Sequence, residues 1–404
     1  SRDVGELTLA KGEVIDKVAP LPLQPLRWAS VTTVSAYYRF AYRIRGWGAL
    51  PRRRGPTLLI ANHQHEIESA VLIADLTIAT FSWRHPIFTV SSRRMWEPGF
   101  FAERIAWLSP LLRTLNFGWL FSSLGLQPIE NELHVRPFVS VAYALMQLHG
   151  DLDAQAVFTE RARARLPASV KRIGDLLRAQ NFAVGRSRVK LNEVSETYRK
   201  ELMEQTRAQV ESDLQHFENL QRAGATIFLA PEGFYSGDGK MQRMRGSLSR
   251  LAPLAQIWLA GISYDPLVGR KLSMLYRLGP AAADVPLDLQ LKRTRPVTTS
   301  ALLGTWLHQR ATEPFTAEEA RAAVARALAT LPPVLFVEPE LRRNPSTLTL
   351  RAIDGLLRMG MAKSNGSVYR LTEQRKHAQF PRTPDIIEYL YNFHAETLEG
   401  ARTV

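Results

Sequence analysis

Short apolar runs that stop at turn residues, alternating with helix-length segments, constrain this chain more than any other feature of its sequence. Thr57-Leu-Leu-Ile-Ala61 follows a break at Pro51 and Arg52–Gly55, and a continuous apolar run of that length suits a buried strand. Glu66–Thr80 reads as a helix, Ile87–Val90 as a second strand, Leu126–Ile129 behind Gly125 as a third, and Ala225–Leu229 as another. Strand and helix in alternation predict an α/β fold, a mixed sheet flanked by helices. Between about 151 and 224 the composition turns to mixed charge, with Met203, Val210, Leu214, Phe217 and Leu220 at helical spacing. That stretch predicts a helical insertion, closed by Gly224.

The division expected from these signals is an N-terminal segment over 1–50, a core over 51–312 interrupted by the insertion, and a small domain over 313–404. In the last, a helix over Thr316–Leu331 and the break Pro332-Pro333 precede a helix over Leu348–Met359. Gly360 and a hairpin over Ala362–Leu371, with Asn365-Gly366 at its tip, complete an order resembling a winged helix. Two roles stand for it: nucleic-acid binding, or accessory packing and protein contact. The second is preferred, because a fold does not fix a function.

With 404 residues, 45% of them hydrophobic, the chain can bury a large core, and a net charge of +14 favours an anionic partner. Nucleic acid, an acidic bilayer, and a phosphorylated or carrier-bound substrate all qualify. The chain has no cysteine, which excludes disulfides, thiolate metal sites and a cysteine nucleophile, and fits a reducing compartment. No secretory leader is read in Ser1–Val14. The longest apolar stretches, Ser69–Phe81 and Leu251–Ile262, fall short of the roughly 18 to 20 residues of a spanning helix. Membrane contact is therefore expected to be peripheral, on the cytoplasmic face. The segment Leu26–Ile44 sets Trp28, Tyr37, Tyr38, Phe40 and Tyr42 among Arg27, Arg39 and Arg43. It reads equally as an interfacial helix or as a helix packed on the core.

Two strand ends carry chemistry, as strand-to-helix junctions in α/β sheets do. The first is Asn62-His63-Gln64-His65-Glu66-Ile67-Glu68. A histidine suits proton abstraction from an alcohol near neutral pH when a carboxylate fixes its tautomer. His63 and Glu68 are off register for one helix face, but can meet if His63 lies in the turn and Glu68 in the first helical turn. Three other readings stand beside this one: His65 and Glu68 as helical neighbours, Glu66 as an ordinary first-turn acid, and His63-x-His65 as a metal pair. The second strand end, Phe228-Leu-Ala-Pro-Glu-Gly-Phe-Tyr-Ser-Gly-Asp-Gly-Lys240 with Arg243, Arg245 and Gly246, joins a carboxylate and glycines to clustered cations that suit an anionic group.

Together these blocks resemble the glycerolipid acyltransferase family, the lysophosphatidic acid and glycerol-3-phosphate acyltransferases. Asn62, His63, Pro231, Glu232, Gly233, Ser236, Asp238, Gly239, Lys240 and Gly246 match the family pattern in order, and Gly261-Ile-Ser-Tyr-Asp-Pro266 is similar to its fourth block. The resemblance covers roughly Thr57–Pro280 without the insertion. It implies O-acyl transfer from a coenzyme A or carrier-protein thioester to a glycerolipid-type hydroxyl, with no metal and no cofactor beyond that thioester. His63 and Glu68 would be catalytic; Glu232, Gly233, Ser236, Lys240, Arg243 and Arg245 would bind substrate. The chain departs from the pattern in three places: Glu68 for aspartate, Phe234-Tyr235 for Thr-Arg, and Glu130-Asn131 for Asp-Arg. Two acceptors remain open. One is phosphorylated and held by Lys240, Arg243, Arg245 or Arg136; the other is uncharged and shaped by Phe234 and Tyr235. Trp96, Phe100, Phe101, Trp107, Phe117 and Trp119 are candidates to line an acyl tunnel, or are ordinary core and membrane-facing aromatics.

Overall fold

The computed structural model describes residues 24–50, 55–65, 67–79, 87–97, 100, 109–112, 115–123, 125–130, 134–233, 235, 237–244 and 246–402. Ser1–Val14, Glu66, Phe101, Trp107, Asn131, Phe234, Ser236 and Arg245 lie outside them. The elements that position the site are α1 (Gln24–Ala41), β1 (Arg43–Trp47), β2 (Thr57–Ala61), α2 (Glu68–Ala79), β3 (Ile87–Ser92), β4 (Leu126–Ile129), β5 (Val135–Pro137), α3 (Phe138–His149), β6 (Arg188–Lys190) and α4 (Glu196–Arg222). Then follow β7 (Thr226–Leu229), β8 (Gln256–Asp265), β9 (Ser273–Pro280), α5 (Leu287–Thr294), α6 (Thr299–Arg310), β10 (Phe315–Thr316), α7 (Ala317–Ala329), α8 (Pro345–Arg358), β11 (Ala362–Asn365), β12 (Val368–Leu371) and α9 (Ile386–Arg402).

The fold is α/β, with a mostly parallel, mixed seven-stranded sheet in the order β1-β9-β8-β2-β7-β3-β4. Only β8 and β9 are antiparallel among its registered pairs. β2 lies in the middle, with Ile60 opposite Leu229 of β7 and Ala61 opposite Ala260 of β8. All five residues of β2 are buried, which explains its continuous apolar run: a parallel strand covered on both faces has no polar side to alternate with. Since β2, β7 and β8 run parallel, their carboxyl ends reach one edge together.

Two compact units are present, one built from residues up to Thr89 and from Gln221 onward, the other from Val90–Leu220. The core of the first runs from Leu59 and Ile262 in the sheet through Leu302, Val324 and Ile353 to Ile387 and Leu390 of α9. Residues beyond 312 thus share one apolar interior with the sheet. There β10, β12 and β11 form a three-stranded sheet, its hairpin closed by Gly366-Ser367 because Asn365 pairs with Val368. Gly366 has φ +63°, the left-handed conformation such a turn requires. The second unit packs Phe138, Leu145, Phe158, Ile173, Val189 and Leu202 together, with α4 burying Leu202, Leu214, Phe217 and Leu220 at helical spacing.

Three sequence expectations need correction. Leu26–Ile44 is not one helix: α1 stops at Ala41, and Arg43–Trp47 pairs in parallel with β9. The strand is held because Arg45 donates to Glu338 at 2.7 Å and to Glu340 at 2.5 Å, ion pairs that local composition does not reveal. The stretch over 151–224 is not wholly helical, since Arg188–Lys190 pairs antiparallel with β5. The hairpin tip also lies one residue later than Asn365-Gly366 suggested. No helix among the described residues is long and apolar enough to cross a membrane.

Candidate active site

β2 ends at Ala61, and the next residue extends its pairing with a side chain. The Asn62 amide donates to the Ile262 carbonyl at 3.0 Å and accepts from the Ile262 N–H at 2.6 Å, a substitute for one more step of strand ladder. Asn62 is fully buried, so both bonds are sheltered from water. The chain then turns over five residues into α2, with His63 in the turn and Glu68 as the first helical residue.

Glu68 curls back over this turn. Its carboxylate accepts from the Gln64 N–H at 2.8 Å and from His63 Nδ1 at 2.8 Å. A carboxylate only accepts, so Nδ1 carries the proton and the lone pair sits on Nε2. Nε2 has no hydrogen-bond partner among the described residues, and the His63 side chain stays 20% exposed against 2% for Glu68. Burial alone would lower the His63 pKa, but the Glu68 hydrogen bond and charge, with the charge of Glu232, hold it above the ordinary imidazole value. The charge of Arg382 works against that rise.

Glu232, delivered by the end of β7, is 1% exposed and ties two loops together: it accepts from His63 N–H at 2.7 Å and from Gln242 N–H at 2.7 Å. Burial pushes its pKa up to about 7, only partly offset by those two bonds and by the charge of Arg295. With both oxygens on backbone donors, Glu232 acts as a strut for His63. Gly233 makes the turn beside it at φ +76°, its N–H bonded to the Ala230 carbonyl at 3.1 Å.

The histidine pair divides. His65 points its Nε2 at the Gln379 carbonyl, 2.6 Å away, and its Nδ1 accepts from the Ile67 N–H at 3.4 Å. Its ring packs edge-on against Phe380, so His65 anchors the C-terminal part of the chain. Lys240 and Arg243 are exposed on the loop after Glu232. Arg136 belongs to the second unit, where it donates to Thr206 at 2.8 Å and pairs with Glu130. Trp96 and Phe100 are also in the second unit, both edge-on to Phe121, and Trp119 there is 62% exposed.

Other residues complete the site: Tyr264 falls in the Gly261–Pro266 block read from the sequence, whereas Tyr389 and Arg295 carried no signal there. The Tyr389 hydroxyl donates to Gln64 Oε1 at 2.9 Å, and Tyr264 and Tyr389 are buried phenols held neutral first by burial and then by the charge of Glu68. Arg295 is fully buried, donates to Glu396 at 3.1 Å and lies over the Phe393 ring at 4.5 Å. Each is contributed from far along the chain, and only the fold brings it near.

A carboxyl whose folded pKa is raised gives the native state a proton that the unfolded chain has lost between the ordinary carboxylate range and about pH 7. Stability should therefore fall as pH rises through that window. Glu232→Gln cannot titrate, so urea midpoints taken from about pH 5 to about pH 7.5 should fall less in the variant than in the wild type. Equal slopes would show that Glu232 titrates like an exposed acid.

No protein-family model matches the chain, and no curated protein matches it in sequence.

Proposed function

We propose that this protein is an O-acyltransferase that moves a fatty acyl group from a thioester to a hydroxyl of a glycerolipid-type acceptor. The observation that carries the reading is the His63–Glu68 pair at the end of β2, with Nδ1 engaged and Nε2 open. In this reading His63 Nε2 takes the acceptor hydroxyl proton as the oxygen attacks the thioester carbonyl. The tetrahedral adduct collapses, the carbon–sulfur bond breaks, and the imidazolium returns its proton to the leaving thiolate. Glu68 keeps the tautomer and offsets the imidazolium charge; Glu232 holds the backbone that carries the base. The resemblance to glycerolipid acyltransferases supports the same reading, and would make the sheet and its helices an acyltransferase core. Acyl-CoA or an acyl-carrier-protein thioester is the donor, and no group beyond it is invoked.

We read α7, α8 and the small sheet as a winged-helix-like accessory part, as their order in the sequence suggests. α8 turns Leu348, Ala352, Ile353 and Leu356 into the shared core, and a Cβ at Gly355 would meet the Leu267 carbonyl at 1.9 Å. A helix seated so closely serves packing.

The enzyme works on the cytoplasmic face of an anionic membrane, held peripherally by α1. Leu26, Ala29, Thr33, Ala36, Tyr37 and Phe40 recur at helical spacing on its exposed face, Phe40 at 77%. Exposed Arg39 and Arg43 flank them, and Lys271 lies over the Phe40 ring at 4.9 Å, an arrangement suited to lipid headgroups.

The reading is tested by incubating protein with a labelled acyl thioester and a panel of lysophospholipids, glycerol phosphate and unphosphorylated lipids. Ester should form, and His63→Ala should slow it on the order of a hundredfold to ten-thousandfold with the fold intact. Lysolipid binding without turnover would make the protein a lipid binder instead, and a larger loss from His65→Ala would displace His63 as the base.

Tyr37→Glu with Phe40→Glu should release the protein from anionic liposomes, and binding of the wild type should weaken as salt rises. Unchanged binding by the double variant would remove α1 from the membrane.

A further inference from the structure

Two loops make the site, and one residue of α9 meets both. The Tyr389 hydroxyl donates to Gln64 Oε1 at 2.9 Å, in the turn after β2. On the loop after β7, a Cβ at Gly239 would meet the Tyr389 carbonyl at 2.2 Å, so only glycine allows the approach seen there. Nearby, Asn392 donates to the Asp238 carbonyl at 2.9 Å and Glu396 accepts from the Met241 N–H at 2.8 Å, which seats α9 firmly on that loop. The Tyr389 ring is fixed as well: it is buried, stacked on Phe393 with centroids 6.2 Å apart, and 5.3 Å from the Phe380 ring. A phenol held by both backbone and ring offers its hydroxyl in one place.

Gln64, which that hydroxyl reaches, is 1% exposed. Tyr389 is the one hydrogen-bond partner of its side chain among the described residues, since Nε2 meets none. The Gln64 backbone does different work, its N–H lying 2.8 Å from each oxygen of Glu68. His63 Nδ1 donates to Glu68 Oε2 at 2.8 Å. A continuous series of hydrogen bonds therefore runs from Tyr389 through Gln64 and Glu68 to His63, in surroundings dry enough for each bond to depend on its neighbours.

We propose that Tyr389 is a positioning residue of the base: by holding the Gln64 side chain it fixes the Gln64 N–H that keeps the Glu68 carboxylate on His63 Nδ1. Resting on the acyl-transfer reading, its role is to keep Nε2 aimed at the acceptor hydroxyl. Without the phenol oxygen, the buried Gln64 amide has no partner for either end, and the turn moves to relieve it. Glu68 then loses a donor and, with it, its hold on the histidine.

The test is Tyr389→Phe, which keeps the ring and deletes only the hydroxyl, with Gln64→Met and the double variant beside it, all in the full chain. The readouts are the NMR titration of the His63 ring, the downfield signal of its Nδ1 proton, and the kinetics of ester formation. Tyr389→Phe should broaden the Nδ1 signal and lower the His63 midpoint, because the Glu68 contact that raises it is loosened while burial, which lowers it, remains. Glu232 and Arg382, the other charges acting on His63, are untouched. The kcat should fall roughly tenfold at nearly unchanged KM, as expected for a misplaced base rather than lost binding. Gln64→Met should behave alike, and the double variant no worse than either single one, because all three break the same series. Unchanged His63 signals in Tyr389→Phe, losses that add in the double variant, or an effect confined to KM would each overturn the assignment. A wild type that makes no ester, with His63 signals that shift in Tyr389→Phe, keeps the positioning role and sinks acyl transfer. Ester made by Tyr389→Phe at the wild-type kcat sinks the positioning role alone.

Discussion

The buried carboxylate of Glu232 holds the candidate site together. Burying a carboxylate is costly unless its oxygens are paired, and here each accepts a backbone N–H, one from the turn that carries His63 and one from the loop at Gln242. Those two bonds fix the end of β2 relative to the end of β7, which is what gives His63 a defined place. The charge of Arg295 steadies the carboxylate, and Arg295 in turn donates to Glu396 of α9. A chain of charges therefore joins the turn that carries His63 to α9.

Much of the frame was legible because its signals are local. Thr57–Ala61 is a strand where its apolar run said, since a parallel strand buried on both faces must be apolar throughout; Leu126–Ile129 is a strand as read, although only its Gln127 is buried. The meeting of His63 with Glu68 was one of several readings the sequence offered, and it is the one found, with His63 in the turn and Glu68 in the first helical turn. Gly224, at φ +86°, closes α4 as a glycine after a long amphipathic run should.

What stayed hidden is non-local. Asn62 matched a motif, but its work as a surrogate ladder step depends on β8, some two hundred residues away. Strand β1 was invisible because β9 and a pair of acids, Glu338 and Glu340, stabilise it rather than its own composition. Gly237 and Gly239 looked like loop glycines of an anion site. In the fold they are the places where the C-terminal segment presses on the loop, and no spacing rule predicts contacts with Arg382 and Tyr389.

The proposed acyl transfer requires neutral His63, oriented by Glu68, as the proton acceptor. The free-enzyme pKa that governs kcat/KM should then be that of His63 itself. Since neutral imidazole is the active form, kcat/KM should rise with pH through a midpoint above the ordinary imidazole value of about 6.5. Glu68→Gln removes the Glu68 charge that raises it and leaves burial, which lowers it, opposed only by the charge of Glu232. The direct measurement is the pH profile of kcat/KM beside the NMR titration of the His63 ring, in both proteins. Coincident midpoints that move down together are the predicted result. A kinetic midpoint that stays in place while the His63 titration moves would contradict the claim.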